Sequence, residues 1–116
     1  SDEWRRAGEA IGARIIEDYC TQPITLKNRV DLYRRARMNY VINGGPWAMV
    51  IFSECPYRAF KVISTDSSSQ HAMKRLRIES GFQFPWRVPG QEIIWEPDSY
   101  DAVMREHEKL VKEGMV

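Results

Sequence analysis

Residues 38–52 read MNYVINGGPWAMVIF, and this stretch decides the fold that the sequence predicts. It consists of two largely apolar runs, residues 38–42 and 47–52, on either side of Asn43-Gly44-Gly45-Pro46. Asn-Gly between two such runs is a strong hairpin signal, because both residues tolerate a positive φ angle. The stretch therefore predicts two antiparallel strands joined by a tight turn. The alternative interpretation extends the preceding helix through Ile42, with Asn43 and Gly44 as its C-cap.

Two helices are predicted before this stretch. The apolar residues of the first recur at three- and four-residue steps: Trp4, Ala7, Ile11, Ile15 and Tyr19. The second helix begins at Thr25, which is a favourable N-cap residue, and ends near Arg37. Its predicted buried stripe consists of Leu26, Val30 and Tyr33, with Ala36 or Arg37 as the next member.

Two more strands and two more helices are predicted after it. The strands are residues 58–64 and 92–95, a helix follows the N-cap-rich residues 65–69 and ends at Gly81, and residues 82–90 are irregular. The last helix begins near Pro97, Asp98 or Ser99 and ends at Gly114, with a predicted inner face of Tyr100, Val103, Met104, His107 and Val111. Its acids, Glu106 among them, are predicted to face solvent. The order α-α-β-β-β-α-β-α with hairpin-linked strands predicts a single α+β domain over residues 1–116, in which helices pack on a small antiparallel sheet.

Composition places the chain among ordinary globular proteins. It has 116 residues, of which 43% are hydrophobic, and that is enough to bury a core without disulfides or metals. The longest apolar run, residues 47–52, is far shorter than the roughly 20 residues of a membrane span. The first residues do not resemble a signal peptide, and two cysteines, Cys20 and Cys55, do not make a disulfide framework. The expected location is the cytoplasm, and no cofactor is expected.

Charge is distributed unevenly although the net charge is only +1. Residues 27–37 contain five cations and one acid, and residues 58–77 contain five cations and one acid. From residue 78 onward eight acids outnumber four cations. Such a field attracts an anionic partner on one side of the molecule.

The second predicted helix is the main candidate for a binding surface. Its cations are Lys27, Arg29, Arg34, Arg35 and Arg37, and Asp31 is placed to neutralise part of their charge. Cations of this kind bind nucleic-acid phosphates, and the nearby Tyr33, Tyr40 and Trp47 are candidates to stack on bases. The simpler interpretation is a solvated helix face above a buried stripe. A second basic group, Lys74, Arg75 and Arg77, follows Ser67, Ser68 and Ser69 and makes a weaker phosphate site.

The sequence contains no paired metal ligands. Cys20, Cys55, His71 and His107 occur singly, without the short spacings of structural zinc sites, so no metal site is expected. A nuclease-like metal site is a further interpretation, built from Asp31, Glu54 and Asp66 near Lys61. It places Glu54 and Lys61 on neighbouring strands, but nothing in the spacing fixes that geometry. A non-catalytic protein that binds nucleic acid through the basic helix and the adjoining sheet is the leading hypothesis.

Residues 82–89, FQFPWRVP, support an alternative function. Aromatic residues and arginine on a proline-stiffened chain are typical of protein interfaces, and Phe84, Trp86 and Arg87 are the candidate contacts. This segment, hereafter the aromatic segment, predicts a protein-binding module or inhibitor. The simpler interpretation is a loop folded over the core.

Overall fold

A βαβ unit with parallel strands organises the protein. The computed structural model describes residues 2–16, 25–62, 74 and 77–116. Their elements are α1 (Asp2–Ala10), α2 (Leu26–Arg35), β1 (Asn39–Ile42), α3 (Gly45–Phe52), β2 (Tyr57–Phe60), β3 (Gln91–Ile93) and α4 (Tyr100–Lys112). The predicted helix that ends at Gly81 lies mostly outside the described residues.

All three strands are parallel, in the order β1-β2-β3, so the prediction of an antiparallel sheet is wrong. Residues 47–52 form most of α3 rather than a strand, and α3 carries the chain from β1 to its parallel neighbour β2. Pro46 explains the helix, because proline suits the first helical turn, where its missing N–H has no partner to lose. Trp47, Val50 and Ile51 are buried along α3, and a fully apolar run is compatible with a buried helix as well as with a strand.

The predicted hairpin turn is absent. Asn43 is not among the described residues with positive φ, and its N–H donates to the carbonyl oxygen of Phe60 at 3.3 Å. The alternative of a continuous second helix through Ile42 is also wrong. Ala36, the C-cap of α2, already has an extended ψ of 141°. The predicted start of α2 is confirmed, since the Thr25 hydroxyl accepts the N–H of Asn28 at 3.2 Å.

The central strand β2 is buried along its whole length. It does not alternate between buried and exposed residues because a parallel sheet is covered on both faces. The strand ends at Phe60, earlier than predicted, because Lys61 adopts a φ of 61° and turns its N–H to the carbonyl oxygen of Glu96 at 2.8 Å.

Two apolar cores lie on opposite faces of the sheet. Alternate strand residues divide between them, since successive side chains of a strand point to opposite faces. One core contains Tyr57 and Ala59 of β2 together with α3 residues, and the other contains Phe60 with residues of α1 and α4.

The inner face of α4 differs from the predicted one. Ser99 caps the helix by accepting the N–H of Ala102 at 3.2 Å, and Val103 is buried as expected. Leu110, however, is fully buried, whereas Val111 is largely exposed. Glu106 is also buried, although its acid was predicted to face solvent. Glu106 is buried because it pairs with Arg58 of β2.

Candidate nucleic-acid interface

The basic helix α2 has one buried arginine. Arg29 donates from Nε to the Tyr33 hydroxyl at 2.7 Å, and both side chains are buried. The guanidinium carbon lies 6.0 Å from the centre of the Tyr33 ring. Arg29 therefore belongs to the underside of α2 and is corrected from a phosphate contact to a packing residue. Leu26, predicted to be buried, is exposed instead.

The remaining four cations of this region are exposed: Lys27, Arg34, Arg35 and Arg37. Within the described ranges, no ion pair joins any of them to an acid. Asp31, which was expected to neutralise part of this charge, makes no ion pair with a described cation either. These four residues, hereafter the basic surface, carry positive charge that no described acid pairs with; Lys27, Arg34 and Arg35 lie on α2, and Arg37 follows its C-cap.

The basic surface is fixed next to the amino-terminal edge of the sheet, by which we mean the end at which its parallel strands begin. Asn39, the first residue of β1, donates from Nδ2 to the carbonyl oxygens of Tyr33 at 3.0 Å and of Pro56 at 2.9 Å. This amide ties the last turn of α2 to the chain that enters β2. Burial raises the pKa of the Cys55 thiol, and the Arg34 charge opposes part of that increase.

The aromatic residues first expected to stack on bases are not available for it. Tyr33 and Trp47 are buried. The Tyr40 hydroxyl hydrogen-bonds His107 Nδ1 at 2.9 Å, which confirms the expectation that His107 is a hydrogen-bonded residue. Burial, reinforced by the charge of Glu106, raises the pKa of Tyr40 to about 12. Among the residues that the structure describes, the exposed aromatic ones are Phe52, Phe82 and Trp86, and Phe52 was missed because the sequence predicts a strand there.

The aromatic segment contains one buried anchor and one exposed ring. Phe84 is 1% exposed and stacks on Trp47 with ring centres 6.0 Å apart. Trp86 stacks on the other side of Phe84, with ring centres 4.5 Å apart and planes at 20°, and remains 53% exposed. Arg87 is exposed, and its Nη1 donates to the Phe84 carbonyl oxygen at 3.0 Å. Of the three predicted interface residues, Trp86 and Arg87 are accessible to solvent, whereas Phe84 is buried and stacks on Trp86.

Trp86 lines a surface hollow of about 300 Å³ together with Ile51, Phe52, Glu54, Val88 and Gln91. Gln91 is buried, and its Nε2 donates to the carbonyl oxygens of Cys55 at 2.9 Å and Val50 at 3.3 Å. Its Oε1 accepts the N–H of Val88 at 3.3 Å. One buried amide thus connects α3, the start of β2 and the aromatic segment. The hollow, hereafter the Trp86 hollow, lies at the same edge of the sheet as the basic surface.

A second hollow, of about 590 Å³, lies beside the buried Arg58. Arg58 Nε donates to Glu106 at 2.9 Å, and Nη1 donates to the carbonyl oxygens of Gly90 at 2.7 Å and Tyr57 at 2.9 Å. Nη2 lies 3.7 Å from the Glu92 carboxylate. Sequence reasoning counted Arg58 only among the five cations of residues 58–77 and missed this network, since nothing local links residues 58 and 106.

The second predicted basic group is only partly described. Lys74 and Arg77 are exposed, and Arg75 lies outside the described residues. The nuclease-like arrangement does not assemble as expected. Glu54 precedes β2 and Lys61 follows it, so they flank opposite ends of one strand, while Asp66 lies outside the described residues.

Across the described part of the chain, no three His, Cys, Asp or Glu residues are grouped to hold a metal ion. No described helix is both long enough and apolar enough to cross a membrane. No protein-family model, curated protein or solved structure matches this chain. The candidate interface therefore depends on geometry and charge alone.

Proposed function

We propose that this protein binds nucleic acid through the basic surface, without chemistry of its own. The observation that carries the proposal is that Lys27, Arg34, Arg35 and Arg37 are exposed and unpaired among the described residues. Cations in a solvated ion pair have already lost part of their attraction for a phosphate. These four keep it, and Asn39 holds the end of their helix against the sheet.

Phosphate binding is favourable here because each neutralised phosphate releases condensed counterions. The affinity comes mainly from entropy and needs no deep pocket, which suits a helix surface. Arg34 and Arg35 also lie in the last turn of α2, where the negative end of the helix dipole stabilises cations. The helix dipole therefore helps to stabilise these two cations in the folded protein, and their exposed guanidinium groups remain available to a ligand.

Retention on immobilised duplex DNA at moderate salt tests the proposal. Replacing Arg34, Arg35 and Arg37 by alanine should abolish retention while leaving the melting temperature nearly unchanged, since exposed substitutions usually alter stability by less than about 0.5 kcal/mol. The matched control replaces Arg14, Lys109 and Lys112, which are exposed outside α2, and it removes the same charge. Equal retention of the two triple variants would remove the basic surface as the binding site.

One observation favours a second candidate function, that of a protein-binding module. Phe52 is 74% exposed and lies with the half-exposed Trp86 in one hollow. Exposed aromatic residues of this kind anchor protein interfaces. Binding centred on them should depend little on salt, whereas binding by the basic surface should weaken steeply as salt rises.

A further inference from the structure

We propose that the Trp86 hollow receives an unpaired base, so that the preferred ligand is a single-stranded nucleic acid. This inference deepens the proposed function and rests on it, because phosphate contacts at the basic surface supply the attraction. Bases in a duplex are stacked on one another and do not offer a free face to a side chain.

The first support is the stack of three rings that ends in Trp86. Trp47 is buried, Phe84 is buried upon it, and Trp86 covers Phe84 with its planes almost parallel. The outermost ring is therefore held in place by packing, and about half of its surface remains open. A held aromatic face loses little side-chain entropy on binding, which makes it a good stacking platform for any base.

The second support is the chemistry around this ring. Arg87 follows Trp86 in the chain, is exposed, and lines the adjoining hollow beside Arg58 rather than the Trp86 hollow itself. Glu54 also lines the hollow, and its side chain is exposed. A carboxylate there accepts hydrogen bonds from the exocyclic amino group of a base such as cytosine. The hollow thus offers a stacking face and an acceptor for a base, and the residue after Trp86 supplies an exposed cation for the backbone.

The third support is the position of the hollow relative to the basic surface. Asn39, the first residue of β1, bonds the last turn of α2, and Gln91, the first residue of β3, lines the hollow. Neighbouring strands are about 4.8 Å apart, so the entry points of β1 and β3 are separated by about 10 Å. One short strand of nucleic acid can therefore contact both sites along the amino-terminal edge of the sheet.

Fluorescence anisotropy with a labelled oligodeoxycytidylate of about 10 nucleotides tests the inference. A matched oligonucleotide carries an abasic site at every position, which keeps the phosphates and removes the bases. The unmodified protein should bind the complete oligonucleotide about 5- to 100-fold more tightly than the abasic one. Trp86→Ala should lose that preference, Trp86→Phe should keep most of it, and Phe82→Ala, an exposed ring outside the hollow, should keep all of it.

Equal binding of the complete and abasic oligonucleotides by the unmodified protein would overturn the inference. This comparison does not depend on whether any variant folds. If that equal binding still disappears when Arg34, Arg35 and Arg37 are replaced, the phosphate-binding function stands and only base stacking is wrong. If the unmodified protein binds neither oligonucleotide nor a duplex, the proposed function fails and the inference fails with it. Salt-insensitive binding of a protein partner that requires Trp86 would assign the hollow to an interface instead.

Discussion

Arg58 and Glu106 form a buried ion pair between the central strand and the last helix, with Nε of the arginine 2.9 Å from a carboxylate oxygen. Both side chains are at least nine-tenths buried. The guanidinium also bonds the carbonyl oxygens of Tyr57 and Gly90, so Arg58 fastens α4 and the start of β3 to β2. A buried charge is tolerated only when it is paired and hydrogen-bonded in this way.

Removing the carboxylate of Glu106 should destabilise the protein by about 3–5 kcal/mol, because it leaves the Arg58 charge buried without its nearest partner. Urea denaturation of Glu106→Ala measures the loss. Glu108→Ala, an exposed acid on the same helix, is the control and should change the free energy of unfolding by less than about 0.5 kcal/mol. Similar midpoints for the two variants would show that the ion pair contributes little.

Tyr40 should make the folded state less stable as the pH rises from about 10 to 12. Its pKa is raised from 10.0 to about 12 in the folded protein, so over that interval the unfolded chain releases a proton that the folded chain retains. The stabilisation from neutral Tyr40 is complete below pH 10 and is lost as the pH passes through the folded-state pKa. Melting temperatures of Tyr40→Phe should fall less steeply over this interval than those of the unmodified protein. Parallel curves would contradict the assignment.

Gly90→Ala should be destabilising by more than about 1 kcal/mol. Gly90 has a φ of 92°, and a Cβ there would lie 3.1 Å from Cβ of Pro56 at the entrance to β2. Gly45→Ala is the control, because Gly45 begins α3 without a positive φ and an added Cβ meets no atom within 4 Å. Differential scanning calorimetry should show a lower melting temperature for Gly90→Ala alone. Equal melting temperatures would mean that the strand entrance adjusts at little cost.

Phe84 and Trp86 should differ in what they contribute to stability. Phe84→Ala removes a fully buried ring between two others and should cost about 3–5 kcal/mol. Trp86→Ala should cost clearly less, since about half of its side chain is exposed. Chemical denaturation of both variants, with Phe82→Ala as an exposed control, measures the difference. A loss for Trp86→Ala as large as for Phe84→Ala would make Trp86 a cover for the core.

Local signals in the sequence predicted much of the helical structure. Thr25 and Ser99 cap helices where expected, because an N-cap side chain bonds backbone groups only a few residues away. The apolar run at residues 47–52 misled because periodicity does not separate a buried strand from a buried helix. Pro46 is the local signal that favours a helix, and it conflicts with Asn43-Gly44, which favours a hairpin.

The candidate site was only partly predictable, because contacts between side chains decide which of its residues are exposed. Exposure of the cations on α2 follows from their number, since few can be buried, but Arg29 is buried by its bond to Tyr33. The choice between Phe84 and Trp86 as the buried ring depends on Trp47, 37 or more residues away along the chain. Contacts of that range leave no periodic pattern in a single sequence.

The salt dependence of nucleic-acid affinity tests the central claim most directly. For duplex DNA, the logarithm of the association constant should fall with the logarithm of salt concentration by about 0.9 for each phosphate contacted. Replacing Arg34, Arg35 and Arg37 by alanine should make that slope shallower by up to about 3, whereas replacing Arg14, Lys109 and Lys112 should leave it nearly unchanged. An unmodified protein whose binding is insensitive to salt, or a slope that the Arg34, Arg35 and Arg37 substitutions do not alter, would contradict the account.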